Sequence, residues 1–171
     1  MLEFIHIPKT AGMSICTAIG QQPGHRLRRP RAINQDAFIF SCIRNPYDRA
    51  VSMYYFLTDK APHYRAHMMA KRETVNTYWQ RADKMALPIR FIQPQKAWLQ
   101  DIERIDKLIR FETLEKDWAE MQQAFNLPDL EHKNITSKPA TQWQDELTQE
   151  SIAKIGELYS EDFERFGYDR I

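Results

Sequence analysis

The chain has 171 residues, enough for one ordinary domain that buries about two-thirds of its unfolded surface without a disulfide or metal staple. Its 43% hydrophobic and 27% charged residues are those of a globular protein, which excludes a disordered or fibrous chain. The net charge of +1 hides a basic stretch, His25, Arg26, Arg28, Arg29 and Arg31, balanced by acids that collect after Asp101.

That stretch reads either as a solvated loop or as an attraction for a small anionic ligand or acceptor. No zinc finger, basic helix or aromatic RNA-binding pattern accompanies it, so no nucleic-acid partner is expected. No apolar run approaches the roughly 18 residues of a membrane span, and no signal peptide precedes the first strand-like run. A cytoplasmic protein with no transmembrane segment is expected. Cys16 and Cys42 form no C-x-x-C pair and stand among apolar residues, which favours structural thiols over a disulfide or a catalytic thiol.

In chain order, Leu2 to Ile7 reads as a short strand ended by Pro8. A helix is predicted from about Gly12–Ser14 to the Pro23-Gly24 break. Phe38 to Ile43 is a second strand, and the intervening residues suffice for the crossover between parallel strands. Asn45-Pro46-Tyr47-Asp48 is a helix start: Asn45 can cap, Pro46 needs no N–H there, and Asp48 suits the first turn. That helix should reach about Asp59, and another should cover Ala66 to Ala82.

Lys107 to Phe111 reads as a third strand. Leu114, Trp118, Met121 and Phe125 recur at helical spacing. Leu127 to Gln144 is turn-like. A last helix is expected from about Glu146 to Asp162, with Phe163, Phe166 and Tyr168 pinning the tail. Short apolar strands alternating with helices imply an α/β protein, a parallel sheet covered on both faces, with ligands beyond the strands' C-terminal ends.

Two stretches carry the chemistry. In Phe4-Ile5-His6-Ile7-Pro8-Lys9-Thr10-Ala11-Gly12-Met13-Ser14 a strand delivers a short loop to a helix start. Amides there can hold an oxyanion, Lys9 adds a positive charge, and Thr10 and Ser14 add hydroxyls. The order is not that of a Walker A loop, because Lys9 precedes the glycine. Loop chemistry alone leaves two readings open, an anion cradle and an ordinary strand-turn-helix corner. Further on, Arg44 emerges from the second strand, and a guanidinium can grip a phosphate with two parallel bonds. Arg44 and Ser52 could converge on one phosphate, while Arg49 could equally pair with Asp48 or another acid.

These residues resemble the carbohydrate sulfotransferases of the type-2 sulfotransferase family. His6-Ile7-Pro8-Lys9-Thr10-Ala11-Gly12-Met13-Ser14 is similar to that family's His-Ile-Pro-Lys-Thr-Gly-Gly-Thr-Ser loop. Arg44 to Tyr54 matches its Arg-x-Pro-x-x-Arg-x-x-Ser-x-Tyr element throughout. Phe91 to Gln95, Ile109 to Trp118, His132-Lys133-Asn134 and Tyr159 to Tyr168 resemble later segments. The resemblance implies a three-layer parallel sheet with helices on both faces, a P-loop-NTPase-like sulfotransferase fold spanning 1–171 as a single domain.

It also implies a donor, 3′-phosphoadenosine 5′-phosphosulfate (PAPS), a product, 3′-phosphoadenosine 5′-phosphate (PAP), and no metal. Carried over by position, Lys9 would contact the transferring sulfonate. Thr10, Ala11, Gly12, Met13 and Ser14 would hold the 5′-phosphate, and Arg44 with Ser52 the 3′-phosphate. Ala11 stands for a family glycine and Met13 for a threonine, so donor contacts should be reshaped but not abolished.

The acceptor would be a small-molecule or saccharide hydroxyl, whose proton needs a base. His25 is the preferred base, on a short Gly24-His25 likeness to family members with a catalytic histidine, and His132 is the second choice. An acceptor-positioning role and an exposed loop histidine are the other readings of His25. His6 should pack beneath the loop, and His63 with His67 lacks a third metal ligand. Glu112 and Asp117 read as structural.

Tyr55, Tyr64, Tyr78 and Trp79 are either a sugar-stacking wall or core, and an exposed aromatic helix face could support a homodimer. Two alternatives are a noncatalytic nucleotide-binding module and a nucleotide-dependent kinase or NTPase.

Overall fold

Phe38–Ile43 is a six-residue run without polar alternation, the pattern of a strand buried on both faces, and it forms the middle of the sheet. The computed structural model describes residues 1–24, 36–59, 72–82, 90–131 and 142–171. They divide into two compact units, Met1–Arg44 with Gln95–Ile135 and Asn45–Pro94 with Thr136–Ile171. Among the described residues no helix is long and apolar enough to cross a membrane.

Among the described residues the first unit holds three parallel strands in the order β1 (Leu2–Ile5), β2 (Phe38–Ile43) and β3 (Lys107–Arg110). Phe4 lies opposite Phe40, and Cys42 opposite Ile109. These four face one side, where they pack with Ile15 and Cys16 of α1 (Gly12–Ala18) and with Trp118 and Met121 of α4 (Leu114–Phe125). On the opposite side Ile5, Ile39 and Ile43 are equally buried. Asp106 fixes where β3 begins: its carboxylate accepts from the Ile39 N–H at 2.7 Å, and its own N–H donates to the Ile39 carbonyl at 2.8 Å.

Two boundaries differ from the sequence reading for backbone reasons. β1 stops at Ile5 because the chain turns away toward Lys9, whose φ is +70°. Helix α1 ends at Ala18, well before Pro23, because Gly20 at φ +67° provides a left-handed stop. The chain then folds back, and the Gln21 carboxamide bonds both the N–H and the C=O of Phe4, at 3.0 and 2.9 Å. That clasp satisfies the outer side of β1 at this point.

The described residues of the second unit are mainly helical. In α2 (Pro46–Asp59) the Asn45 side chain accepts from the Tyr47 N–H at 2.9 Å, the cap that the sequence suggests. Tyr47, Ala50, Val51, Met53 and Leu57 point into a core shared with Tyr78 and Trp79 of α3 (Val75–Gln80). Ile152, Ile155 and Phe163 complete that core. Helix α3 has its own start, with Thr74 and Thr77 exchanging side-chain and backbone bonds as a capping box, so the described part of the expected 66–82 helix begins at Val75. Tyr78 and Trp79 are fully buried, which makes them core and not a sugar-stacking wall.

The expected 146–162 helix is two, α6 (Gln149–Leu158) and α7 (Ser160–Phe166), preceded by a short α5 (Trp143–Glu146) that begins within the stretch read as turn-like. Thr148 breaks the run because its hydroxyl caps α6 through the Ser151 N–H.

Arg49 does not lie free on the helix surface. It is buried, its guanidinium donates to the Phe91 and Gln93 carbonyls at 2.9 and 3.0 Å, and it sits 5.8 Å from the centre of the Tyr159 ring. The Tyr159 hydroxyl donates to the carbonyl between them, that of Ile92, at 2.7 Å. Replacing Arg49 by Met should cost roughly 1–3 kcal/mol, because two partly buried carbonyls lose a charged donor; urea unfolding measures it.

The Tyr78 hydroxyl is buried and has no hydrogen-bond partner among the described residues. Burial, reinforced by the charge of Glu73, pushes its ionisation up to about 12. An unfolded tyrosine ionises near about 10, so between those values the unfolded chain releases the proton first and folding stability falls as pH rises. Tyr78→Phe should therefore flatten the loss of stability between pH 10 and about 12 without weakening the fold at neutral pH. Urea unfolding on either side of that window would show it.

Candidate functional site

The turn after β1 is held in a strained shape. Lys9 and Ala11 both have left-handed backbone, φ +70° and +61°, a conformation that costs a non-glycine residue about 1–2 kcal/mol. The buried Thr10 hydroxyl donates to the Ile7 carbonyl at 2.9 Å and locks the turn, so its proton is committed to the loop itself. Ala11 then leads directly into α1, where the amides of the first turn have no acceptor inside the helix.

Gly12 is required by packing. A Cβ there would lie 1.9 Å from His6 Cδ2 and 2.0 Å from His6 Nε2. The imidazole is buried and stacked on Phe4, as a residue packed beneath the loop should be. Ser14 is buried in the first turn of α1, while Met13 is half-buried and gives its carbonyl to the Thr17 hydroxyl at 3.0 Å.

Arg44 follows β2 directly, and its side chain reaches the Lys9 loop: Nη1 donates to the Lys9 carbonyl at 3.2 Å. The guanidinium carbon lies 3.9 Å above the centre of the Phe111 ring, the residue that follows β3. The wholly buried Gln95 holds the Arg44 backbone at both of its polar groups. The Arg44 N–H donates to Oε1 at 2.9 Å, and Nε2 donates to the Arg44 carbonyl at 2.8 Å. Three strand ends thus meet at one edge of the sheet, with Lys9 and Arg44 belonging to touching loops.

Nearby, the Asp117 carboxylate accepts from the Arg110 N–H and the Thr113 hydroxyl, both at 2.9 Å, and so fastens the end of β3 to the start of α4. Burial first, then the charge of Glu112, pushes the Cys42 thiol far above the ordinary range, which keeps it protonated and inert.

The family described as the sulfotransferase family has a model that matches residues 21–169. The chain belongs to the sulfotransferase family. The matched span contains Arg44, Ser52 and Gln95 and begins after the Lys9 loop. Comparison with curated proteins and with solved structures returns no match.

In this sulfotransferase-family chain, Lys9, Thr10, Ala11, Gly12, Met13, Ser14 and Arg44 fall together in the first unit. Ser52, half-buried on α2, belongs to the second. His25, the basic stretch to Arg31, His63, Tyr64, His67 and the His132-Lys133-Asn134 segment lie outside the described residues. A cavity of about 260 Å³ opens between Phe4–His6 and Gln21–Gly24, along the outer side of β1.

Sequence reasoning missed how Gln95 and Phe111 hold Arg44. The signals were the Phe91–Gln95 and Ile109–Trp118 stretches, whose family likeness carries no role by itself.

The strain at Ala11 gives a direct expectation. Ala11→Gly should raise stability by about 0.5–1 kcal/mol, because glycine adopts φ +61° without a Cβ penalty that outweighs its extra unfolded-state freedom. Thermal unfolding of the two proteins would measure it.

Proposed function

We propose that this protein transfers a sulfonate group from PAPS to an acceptor hydroxyl, carried by a carbohydrate, and releases PAP. The observation that supports this reading most is the bond between the Arg44 guanidinium and the Lys9 carbonyl. It brings two cationic residues from separate strand ends to the edge where parallel sheets take their ligands. The family match adds PAPS-dependent sulfonate transfer as the activity in general.

The donor set fits an anionic nucleotide. Between His6 and Ser14 there is no acid, and the groups offered are one ammonium, one hydroxyl and the backbone amides of a helix start. Bound PAPS would supply an activated sulfonate on a phosphate leaving group. In this reading Thr10 to Ser14 embrace the 5′-phosphate, with Thr10 contributing its amide and its grip on the turn. Arg44 and Ser52 take the 3′-phosphate.

Lys9 offsets charge that builds on the leaving phosphate oxygen. The acceptor oxygen forms its bond to sulfur as the bond from sulfur to that phosphate oxygen breaks. The hydroxyl proton passes to a base, His25, whose neutral imidazole is suited to accept it near physiological pH.

The burial of Ile5, Ile39 and Ile43 opposite the face that meets α1 and α4 supports a three-layer, P-loop-NTPase-like arrangement. The family match across residues 21–169 supports a single domain over 1–171. Two buried free thiols suit the reducing cytoplasm.

Titration calorimetry with PAP is the test. Binding is expected, and Arg44→Ala should weaken it by roughly tenfold to a hundredfold through loss of a charge-assisted bond. A folded protein that takes up neither PAPS nor PAP would overturn the reading. Binding without transfer to any sugar or alcohol would favour the noncatalytic module.

A further inference from the structure

We infer that Arg44 is also a positioning residue for the 5′-phosphate end of the nucleotide, acting through the Lys9 turn in addition to its own place at the 3′-phosphate; this rests on the donor reading above. The turn between β1 and α1 has a backbone that a free chain would not keep. Lys9 and Ala11 lie at φ +70° and +61°, a region that disfavours every side chain beyond glycine. Hydrogen bonds hold the turn on two sides. The Thr10 hydroxyl does so from within, at 2.9 Å to the Ile7 carbonyl. Arg44 does so from outside, its Nη1 reaching from the end of β2 to donate to the Lys9 carbonyl at 3.2 Å.

The Lys9 carbonyl is an effective point of attachment. It shares one planar unit with the Thr10 N–H, so fixing it fixes the backbone that leads from the first left-handed residue toward the second. Thr10 does not share the left-handed φ of its neighbours, and a turn that alternates in this way gathers successive N–H groups into a concavity suited to an anion. The constraint lies in the bond itself and holds whatever other groups the guanidinium meets. That bond uses one of several donors in the guanidinium fork, so holding the turn and gripping a phosphate are compatible. The same residue therefore couples the two ends of the nucleotide. Losing it should loosen the grip on a ligand that has no 3′-phosphate at all.

The experiment measures affinities for PAP and for adenosine 5′-monophosphate, which lacks the 3′-phosphate, by titration calorimetry. The proteins are wild type, Arg44→Met, Thr10→Val and the double variant, each at low salt and at roughly 0.5 M salt, where charges more than about 4 Å apart are screened. Arg44→Met should lower affinity for the monophosphate roughly fivefold, the equivalent of one ordinary hydrogen bond, at both salt concentrations. Thr10→Val should lower it as well. The double variant should lose less than the product of the two single losses, because both substitutions release the same turn. Arg44→Lys, whose ammonium ends one bond short of Nη1, should act as Arg44→Met does and serves if the methionine variant does not fold.

Three results overturn the inference: an unchanged monophosphate affinity in the folded Arg44 variant, a fall that vanishes at the higher salt, or single losses that multiply fully in the double variant. A PAP affinity that still falls in those cases leaves Arg44 in its 3′-phosphate role. Wild-type protein that binds PAP but not the monophosphate overturns it too, since the turn then has no grip for Arg44 to set. Wild-type protein that takes up neither nucleotide overturns the donor reading, and this inference with it.

Discussion

The hydrogen bond from Arg44 to the Lys9 carbonyl is the constraint on which the candidate site depends. A parallel sheet delivers all its strand ends to one edge, but it does not by itself bring the loops that leave those ends into contact. Here the Arg44 side chain does so. It crosses from the end of β2 to the loop after β1 and rests on Phe111, just beyond β3. Each strand therefore contributes one element to the edge. β1 gives a strained turn with an ammonium, β2 a guanidinium, and β3 an aromatic face.

Among the described residues the sheet has three strands, and long polar side chains satisfy backbone groups that its ladder does not reach. Gln21 serves Phe4 at the outer strand, and Gln95 serves Arg44 where β3 runs out. In the helical unit Asn76 plays the same part, donating to the Glu146 carbonyl at 2.9 Å and accepting from the Thr148 N–H at 2.8 Å. Arg49 and Tyr159 satisfy three consecutive carbonyls, Phe91 to Gln93, in a segment too irregular to satisfy itself. Amides and carbonyls shielded from water without partners would each cost up to about 1–3 kcal/mol, so these side chains allow irregular chain to pack against the core.

The Lys9 turn shows the opposite arrangement, in which an unfavourable backbone is retained. Two left-handed non-glycine residues flank Thr10, and the bond from Thr10 to Ile7 keeps them so. Gly12 next to them is indispensable for a different reason, the imidazole of His6 lying where a Cβ would be. Strain, a required glycine and a buried histidine within seven residues make the turn rigid before any ligand arrives. Rigidity of that kind lowers the ordering cost of holding an anion.

The sequence alone determined the class of fold, because hydrophobic period and capping chemistry are local properties. The run Phe38–Ile43, the Asn45-Pro46 helix start and the Leu114–Phe125 stripe each appear where those patterns put them. It also determined the candidate anion-binding residues, since Lys9 and Arg44 are recognisable by type and order. What only the tertiary structure decided is which side chain serves which backbone group. Gln95 lies 51 positions from Arg44, and Arg49 finds its acceptors 42 and 44 positions away. No local signal distinguishes such a glutamine or arginine from an exposed one. Partners that far apart in the chain are chosen by packing, when burial leaves a carbonyl or an amide without water and one side chain within reach.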